Sequence, residues 1–160
     1  GLMLAGCSSG PLDASAREPV GQGQTAAVHP VSGLPVIDLA VTSGKTRHPF
    51  RVEVARSVEE QAKGLMFRTE MGADEGMLFV RNPPDQASFW MKNTVIPLDI
   101  IYVGRDGRIL NIADAKPYDL TPLPSKGVAA AVLELNGGRA AQLGIKPGDK
   151  VSWTLPSAPE

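Results

Sequence analysis

The sequence predicts a mainly β (α+β) domain, an antiparallel jelly-roll-like sandwich or partly open barrel of about seven or eight short strands with two short helices inserted. Three observations carry that expectation. Short segments alternate apolar with polar residues, the period of a half-buried strand. Gly, Pro, Asn and Asp recur between these segments as turn punctuation. Helical spacing with proper end signals occurs only briefly, after Ser57 and after Gly138.

A single globular unit is expected over 36–155, with 156–160 as a tail. Ile37, Leu39 and Val41 alternate with other residues, and Phe50, Val52 and Val54 alternate with Arg51 and Glu53, so both stretches read as strands. Ser57 stands three residues before Glu60, a capping-box spacing, and Val58, Ala62, Leu65 and Met66 share one stripe, which predicts a helix over 58–67. Further strands are expected at 76–81, 87–92, 98–103, 108–114 and 128–135, divided by Pro83-Pro84-Asp85, by Arg105-Asp106-Gly107 and by the proline-rich run 116–126. After Asn136-Gly137-Gly138 a short helix runs to Leu143 and stops at Gly144, which suits the left-handed position at a helix end. Pro147-Gly148-Asp149 then turns into a last strand over 150–154.

Upstream, residues 1–7 end in Leu4-Ala5-Gly6-Cys7 before an abrupt change to Ser8-Ser9-Gly10. This resembles the end of an apolar signal segment closed by the lipobox of bacterial lipoproteins. In that class the cysteine is cleaved to the N-terminus and acylated, so Cys7 is the expected lipidation site. Two or more acyl chains anchor stably where one does not. Residues 8–35 are rich in Ser, Gly, Pro, Gln, Thr and Ala without apolar periodicity, and read as a flexible tether spanning on the order of 30 Å. The expected address is therefore an exported protein on the periplasmic face of a membrane. Ser8, rather than Asp, after the cysteine favours the outer membrane.

Composition narrows the function classes. Sixteen Lys and Arg against seventeen Asp and Glu leave a net charge of −1, so there is no basic surplus to collect phosphates, and nucleic acid is not an expected partner. One cysteine and two histidines supply neither a disulfide nor a zinc or iron–sulfur ligand set. No metal site or cofactor is assigned. Met66, Met71, Met77 and Met91 raise cuprous-ion binding as an alternative, although most of them already read as core.

Several segments form a pattern of their own. Gly64-Leu65-Met66-Phe67-Arg68, Gly76-Met77-Leu78-Phe79, Phe89-Trp90-Met91-Lys92-Asn93-Thr94, Pro97-Leu98-Asp99-Ile100-Ile101, Val132-Leu133-Glu134-Leu135 and Gly144-Ile145-Lys146-Pro147-Gly148-Asp149 occur in the order and spacing that resemble the domain of unknown function 192 family. The resemblance covers about 50–153. It implies an exported or membrane-associated prokaryotic domain with jelly-roll-like β architecture, and it implies no reaction, ligand or catalytic residue.

Within these motifs, strand alternation puts Phe89 and Met91 on one face and Trp90 and Lys92 on the other, followed by Asn93 and Thr94 in a polar loop. An indole beside an ammonium group suits a sugar or another flat ligand. Asp99 and Glu134 each interrupt an apolar strand, where a carboxyl needs a cation or several donors, and Arg68 and Lys92 are the nearest candidates. The leading reading is a non-catalytic envelope module that binds a glycan, small molecule or envelope protein through Arg68, Trp90, Lys92, Asn93, Thr94, Asp99 and Glu134. No catalytic residue is assigned. The alternatives are an envelope hydrolase with Asp99 and Glu134 as acid and base, and an assembly factor. Trp90 as plain core and the two carboxyls as structural ion pairs are the bland counterparts.

Overall fold

The computed structural model describes residues 27–156. The expected signal and lipobox with Cys7, residues 8–26 of the expected tether, and 157–160 lie outside the described residues. Seven strands run β1 (Val36–Ser43), β2 (Thr46–Ala55), β3 (Glu75–Phe89), β4 (Leu98–Val103), β5 (Ile109–Ala115), β6 (Leu123–Asn136) and β7 (Lys150–Trp153). Two short helices, α1 (Val58–Lys63) and α2 (Arg139–Leu143), follow β2 and β6. The strands form one sheet in the order β5-β4-β6-β3-β2-β1-β7.

The sheet curls until its edges meet at one end. Ile109 donates its N–H to the Asp149 carbonyl at 2.9 Å, and Val151 donates to the Gly107 carbonyl at 2.8 Å, joining the start of β5 to β7. This is the partly open barrel the alternating segments predict. One pair departs from the antiparallel expectation: β2 and β3 run parallel, because the connection between them carries α1 as a crossover rather than a tight turn.

All seven strands send residues into one interior cluster, among them Leu39, Val52, Leu78, Ile101, Ile109, Leu133 and Val151. A second cluster lies on the opposite face of the central strands and includes Met77, Phe79, Ile100, Tyr102 and Val132. Strands β3, β4 and β6 are therefore covered on both faces, and every residue of β4 is buried. The outer cover is α1 with its following turn, the 90–97 loop and the segment after β5.

Local chemistry sets the element ends. Ser57 caps α1 in a complete capping box with Glu60. The helix is six residues long and stops well short of residue 67, because Gly64 turns to positive φ directly against the Phe79 ring, where a Cβ would come within 3.2 Å. The expected strands over 76–81 and 87–92 are one strand, β3, broken by irregular pairing between Val80 and Asp85 and ending at Phe89, so that Trp90, Met91 and Lys92 lie in the loop that follows rather than on a strand. Pro83 and Pro84 lie in that break, lacking the N–H a ladder needs.

Residues 27–35, placed in the tether by composition, belong to the domain. Val28 bridges Pro35, and Val36 donates to the Ala27 carbonyl at 2.7 Å. The anchor is a buried charge network on β2. Arg68 donates from Nη1 to both oxygens of Glu53 at 2.8 and 3.1 Å, and Ser32 Oγ donates to Glu53 Oε1 at 2.6 Å. His29 Nε2 lies 3.1 Å from Arg68 Nη2.

Candidate functional site

A cavity of about 240 Å³ opens beneath α1, between that helix and the end of β3. Glu134 of β6 lines it, with Phe79, Arg81, Phe89, Trp90 and Thr94 among its other walls. Helix α1 is held in place as its roof by Gln61, whose amide donates to the Ala55 and Val80 carbonyls at 3.2 and 2.6 Å. Behind the cavity, Gly76 lets β3 press onto β6 where a Cβ would strike the Glu134 carbonyl oxygen. Phe89 closes one side, packed edge-on against Phe79 with ring centroids 4.9 Å apart.

Glu134 is the unusual member. It is 5% exposed, yet among the described residues it makes no side-chain hydrogen bond and no ion pair within 4.0 Å. Burial alone pushes its carboxyl from 4.5 up to about 8. At neutral pH the group is mostly a neutral acid, able to donate one hydrogen bond and accept others. Burying such a group without a partner costs several kcal/mol, and that kind of cost concentrates at functional sites. Tyr102, on the next strand, stays neutral because burial pushes its phenol up to about 12.

The turns bonded to the 90–97 loop are equally uncommon. Phe67, Asn93 and Tyr118 all have positive φ, 66°, 52° and 62°, a conformation costly for bulky side chains. Backbone hydrogen bonds tie all three to one loop. Phe67 donates to the Asn93 carbonyl at 2.8 Å, Tyr118 to the Thr94 carbonyl at 3.2 Å, and Met91 to the Asp119 carbonyl at 2.8 Å. The strained turns carry exposed aromatics, Phe67 at 66% and Tyr118 at 60%, and Trp90 beside them is 50% exposed. Lys92 Nζ lies 5.4 Å from the Trp90 ring centroid, a cation–π pair at the surface. Thr94 donates its hydroxyl to the Lys92 carbonyl at 2.9 Å, which leaves its oxygen free to accept.

The profile of domain of unknown function 192, described as "Uncharacterized ACR", matches residues 39–153. The chain belongs to that family. A crystal structure of a protein of unknown function from Novosphingobium aromaticivorans DSM 12444 is 65% identical, with a TM-score of 0.79 over 82% of this chain and 94% of that one. A Sinorhizobium meliloti 1021 protein, described provisionally as a transcription regulator, is 34% identical, with a TM-score of 0.73 over 75% of this chain and 95% of that one. No curated protein matches.

Of the seven candidate residues, this DUF192 domain brings Trp90, Thr94 and Glu134 to the cavity, with Lys92 stacked outside and Asn93 shaping the turn. Two residues are elsewhere. Arg68 is paired with Glu53 and lies in the network that holds 27–35, not beside Asp99 or Glu134. Asp99 is on the opposite face of the sheet from Glu134, because the register pairs Asp99 with Leu135 and Ile100 with Glu134. An acid and base pair made of Asp99 and Glu134 therefore has no shared cleft. Asp99 instead accepts from the backbone N–H groups of Gly138 and Ala140 at 3.0 and 2.9 Å, holding the start of α2. Asp99→Ala should cost on the order of 2 kcal/mol in urea unfolding by stranding buried donors, and it should leave the Glu134 cavity unchanged.

Two other groups escape a sequence reading. Arg81 lines the cavity but looks like an ordinary polar position in an alternating strand. Glu53 interrupts Val52 and Val54 just as Glu134 interrupts Leu133 and Leu135, and that shared interruption is the signal available for it. Met77 and Met91 are fully buried in the second cluster, whereas Met66 lines the cavity and Met71 a different surface depression. Among the described residues no three His, Cys, Asp or Glu side chains gather to hold a metal.

Proposed function

We propose that this protein is a lipid-anchored envelope module that binds a small ligand, without transforming it, in the cavity under α1. The observation that carries the reading is Glu134, a carboxyl without a protein partner among the described residues, lining a cavity that the half-exposed Trp90 indole also lines. Such a carboxyl awaits a complementary group from outside the fold. The cavity is below the roughly 300 Å³ at which drug-sized pockets begin, so the ligand is of amino-acid or monosaccharide size. A glycan hydrolase of the two-carboxyl kind needs a second Asp or Glu, and among the described residues no other one lines this cavity. The regulator description of the Sinorhizobium relative does not carry over as nucleic-acid binding, since this chain has a net charge of −1.

The test is thermal unfolding of the full chain alone and with panels of amino acids, sugars, nucleotides and cuprous ion. A ligand at a hundredfold excess over its Kd should stabilise by about 2.7 kcal/mol. Trp90→Ala, half-exposed and outside the core, should unfold within about 0.5 kcal/mol of the parent and lose the ligand shift. A shift that survives Trp90→Ala at full size would remove the cavity from the proposal. The anchor is tested separately: Cys7→Ser should abolish incorporation of a fatty-acid label and release the protein from the membrane fraction.

A further inference from the structure

Glu134 shares its cavity with two cations that it does not meet. Arg81, on β3, and Lys63, at the end of α1, both line the same space. Among the described residues neither makes an ion pair within 4.0 Å with any carboxylate, and neither donates a side-chain hydrogen bond. A carboxyl and two cations left apart around a small cavity, rather than joined across it, leave room for a molecule that carries both charges. Phe79, Phe89, Met66 and the Trp90 indole supply apolar wall beside the polar Gln61, Ser88 and Thr94. Aromatic faces suit an ammonium group as well as an aliphatic side chain, and the Trp90 ring already accommodates the Lys92 ammonium at 5.4 Å.

We infer that the cavity takes a small zwitterion, an α-amino acid with an apolar side chain, its ammonium group on Glu134 and its carboxylate on Arg81. The inference rests on the ligand-binding reading above and names the ligand class for that site. Arg81 is only partly buried, so its guanidinium can swing onto a bound carboxylate in a bidentate pair. Lys63 is exposed and adds charge at the mouth. The groups facing Glu134 from the packed elements are Lys63 from α1, Arg81 from β3 and Tyr102 from β4. None of them is a second acid. An ammonium group entering beside Glu134 therefore favours its ionised form, and binding at pH 7 releases close to one proton, since the free carboxyl titrates at about 8.

The experiment uses the full chain and four probes, L-leucine, N-acetyl-L-leucine, L-leucinamide and N-acetylglucosamine, with the Trp90 indole N–H resonance as readout. L-Leucine should shift that resonance, while blocking its ammonium or its carboxylate should weaken binding about tenfold or more. Glu134→Gln and Arg81→Gln should each weaken L-leucine by a similar factor with the amide spectrum otherwise preserved. Calorimetry in phosphate and in Tris at pH 7 should differ by the ionisation heat of nearly one proton. Binding of N-acetylglucosamine alone, or of N-acetyl-L-leucine as well as L-leucine, would overturn this inference and leave the ligand site standing. No perturbation of Trp90 by any of the four would overturn it too. If the broader panel then also fails to stabilise the protein, the ligand site falls with it.

Discussion

Glu134→Gln is expected to remove most of the pH dependence of stability between about pH 4.5 and pH 8, and to make the protein more stable than the parent at alkaline pH. Burial raises the Glu134 carboxyl from 4.5 to about 8, so the folded state keeps a proton that the unfolded chain gives up. The contribution is at its full value below the unfolded pKa. It declines as pH rises and levels off above the folded pKa, because there both states are ionised and the folded one bears the unpaired charge. Across that window the loss is on the order of 5 kcal/mol, large against the ordinary stability of a domain. Glutamine has nearly the same shape and no charge to desolvate, so below pH 4.5 the two proteins should agree closely. Urea unfolding of the full chain from pH 4 to pH 9 supplies the comparison. Parallel curves for parent and variant would mean that Glu134 is solvated or paired.

The second large effect belongs to Arg68. Arg68→Met should destabilise by about 3–5 kcal/mol, because it leaves Glu53, itself 3% exposed, as a buried charge without its guanidinium. Substituting both partners with Met should recover most of that loss, since the desolvation cost then disappears with the charges. The same network pins residues 27–35 through Ser32 and His29. Arg68→Met should therefore also raise amide exchange in that segment before the rest of the domain opens. A single variant costing less than about 1 kcal/mol would place Glu53 in contact with water and contradict the buried pair.

These two carboxyls show how far a sequence reading reaches. Alternation located nearly every strand, since segments such as Phe50–Val54 bury every second residue on one face. It could not show that β3, β4 and β6 are covered on both faces, nor that Arg68 and residues 27–35 cover β2 at Glu53, which passed for a solvent position although it is buried. Interruption of apolar runs did expose Asp99 and Glu134 as groups in need of partners. The partners themselves are products of register and chain reversal. One residue of offset between neighbouring strands sends Asp99 to the α2 backbone and Glu134 to the opposite face. Arg68 follows Phe67, whose left-handed backbone turns the chain, and no local propensity announces that turn for a phenylalanine. Residues 27–35 looked like tether because their own composition cannot hold them. The bonds that do so come from β2 and from Arg68, distant in sequence.

Glu134 is the group on which the account turns, and its own titration is the most direct test. Carbon-13 NMR of the Glu134 side-chain carboxyl in the full-length protein, assigned by its loss in Glu134→Gln, should show a midpoint near 8, well above the 4.5 of a solvated glutamate. Addition of a bound amine should then move that midpoint down. A midpoint near 4.5 in the free protein would contradict the account, because the carboxyl would then be fully hydrated or already paired.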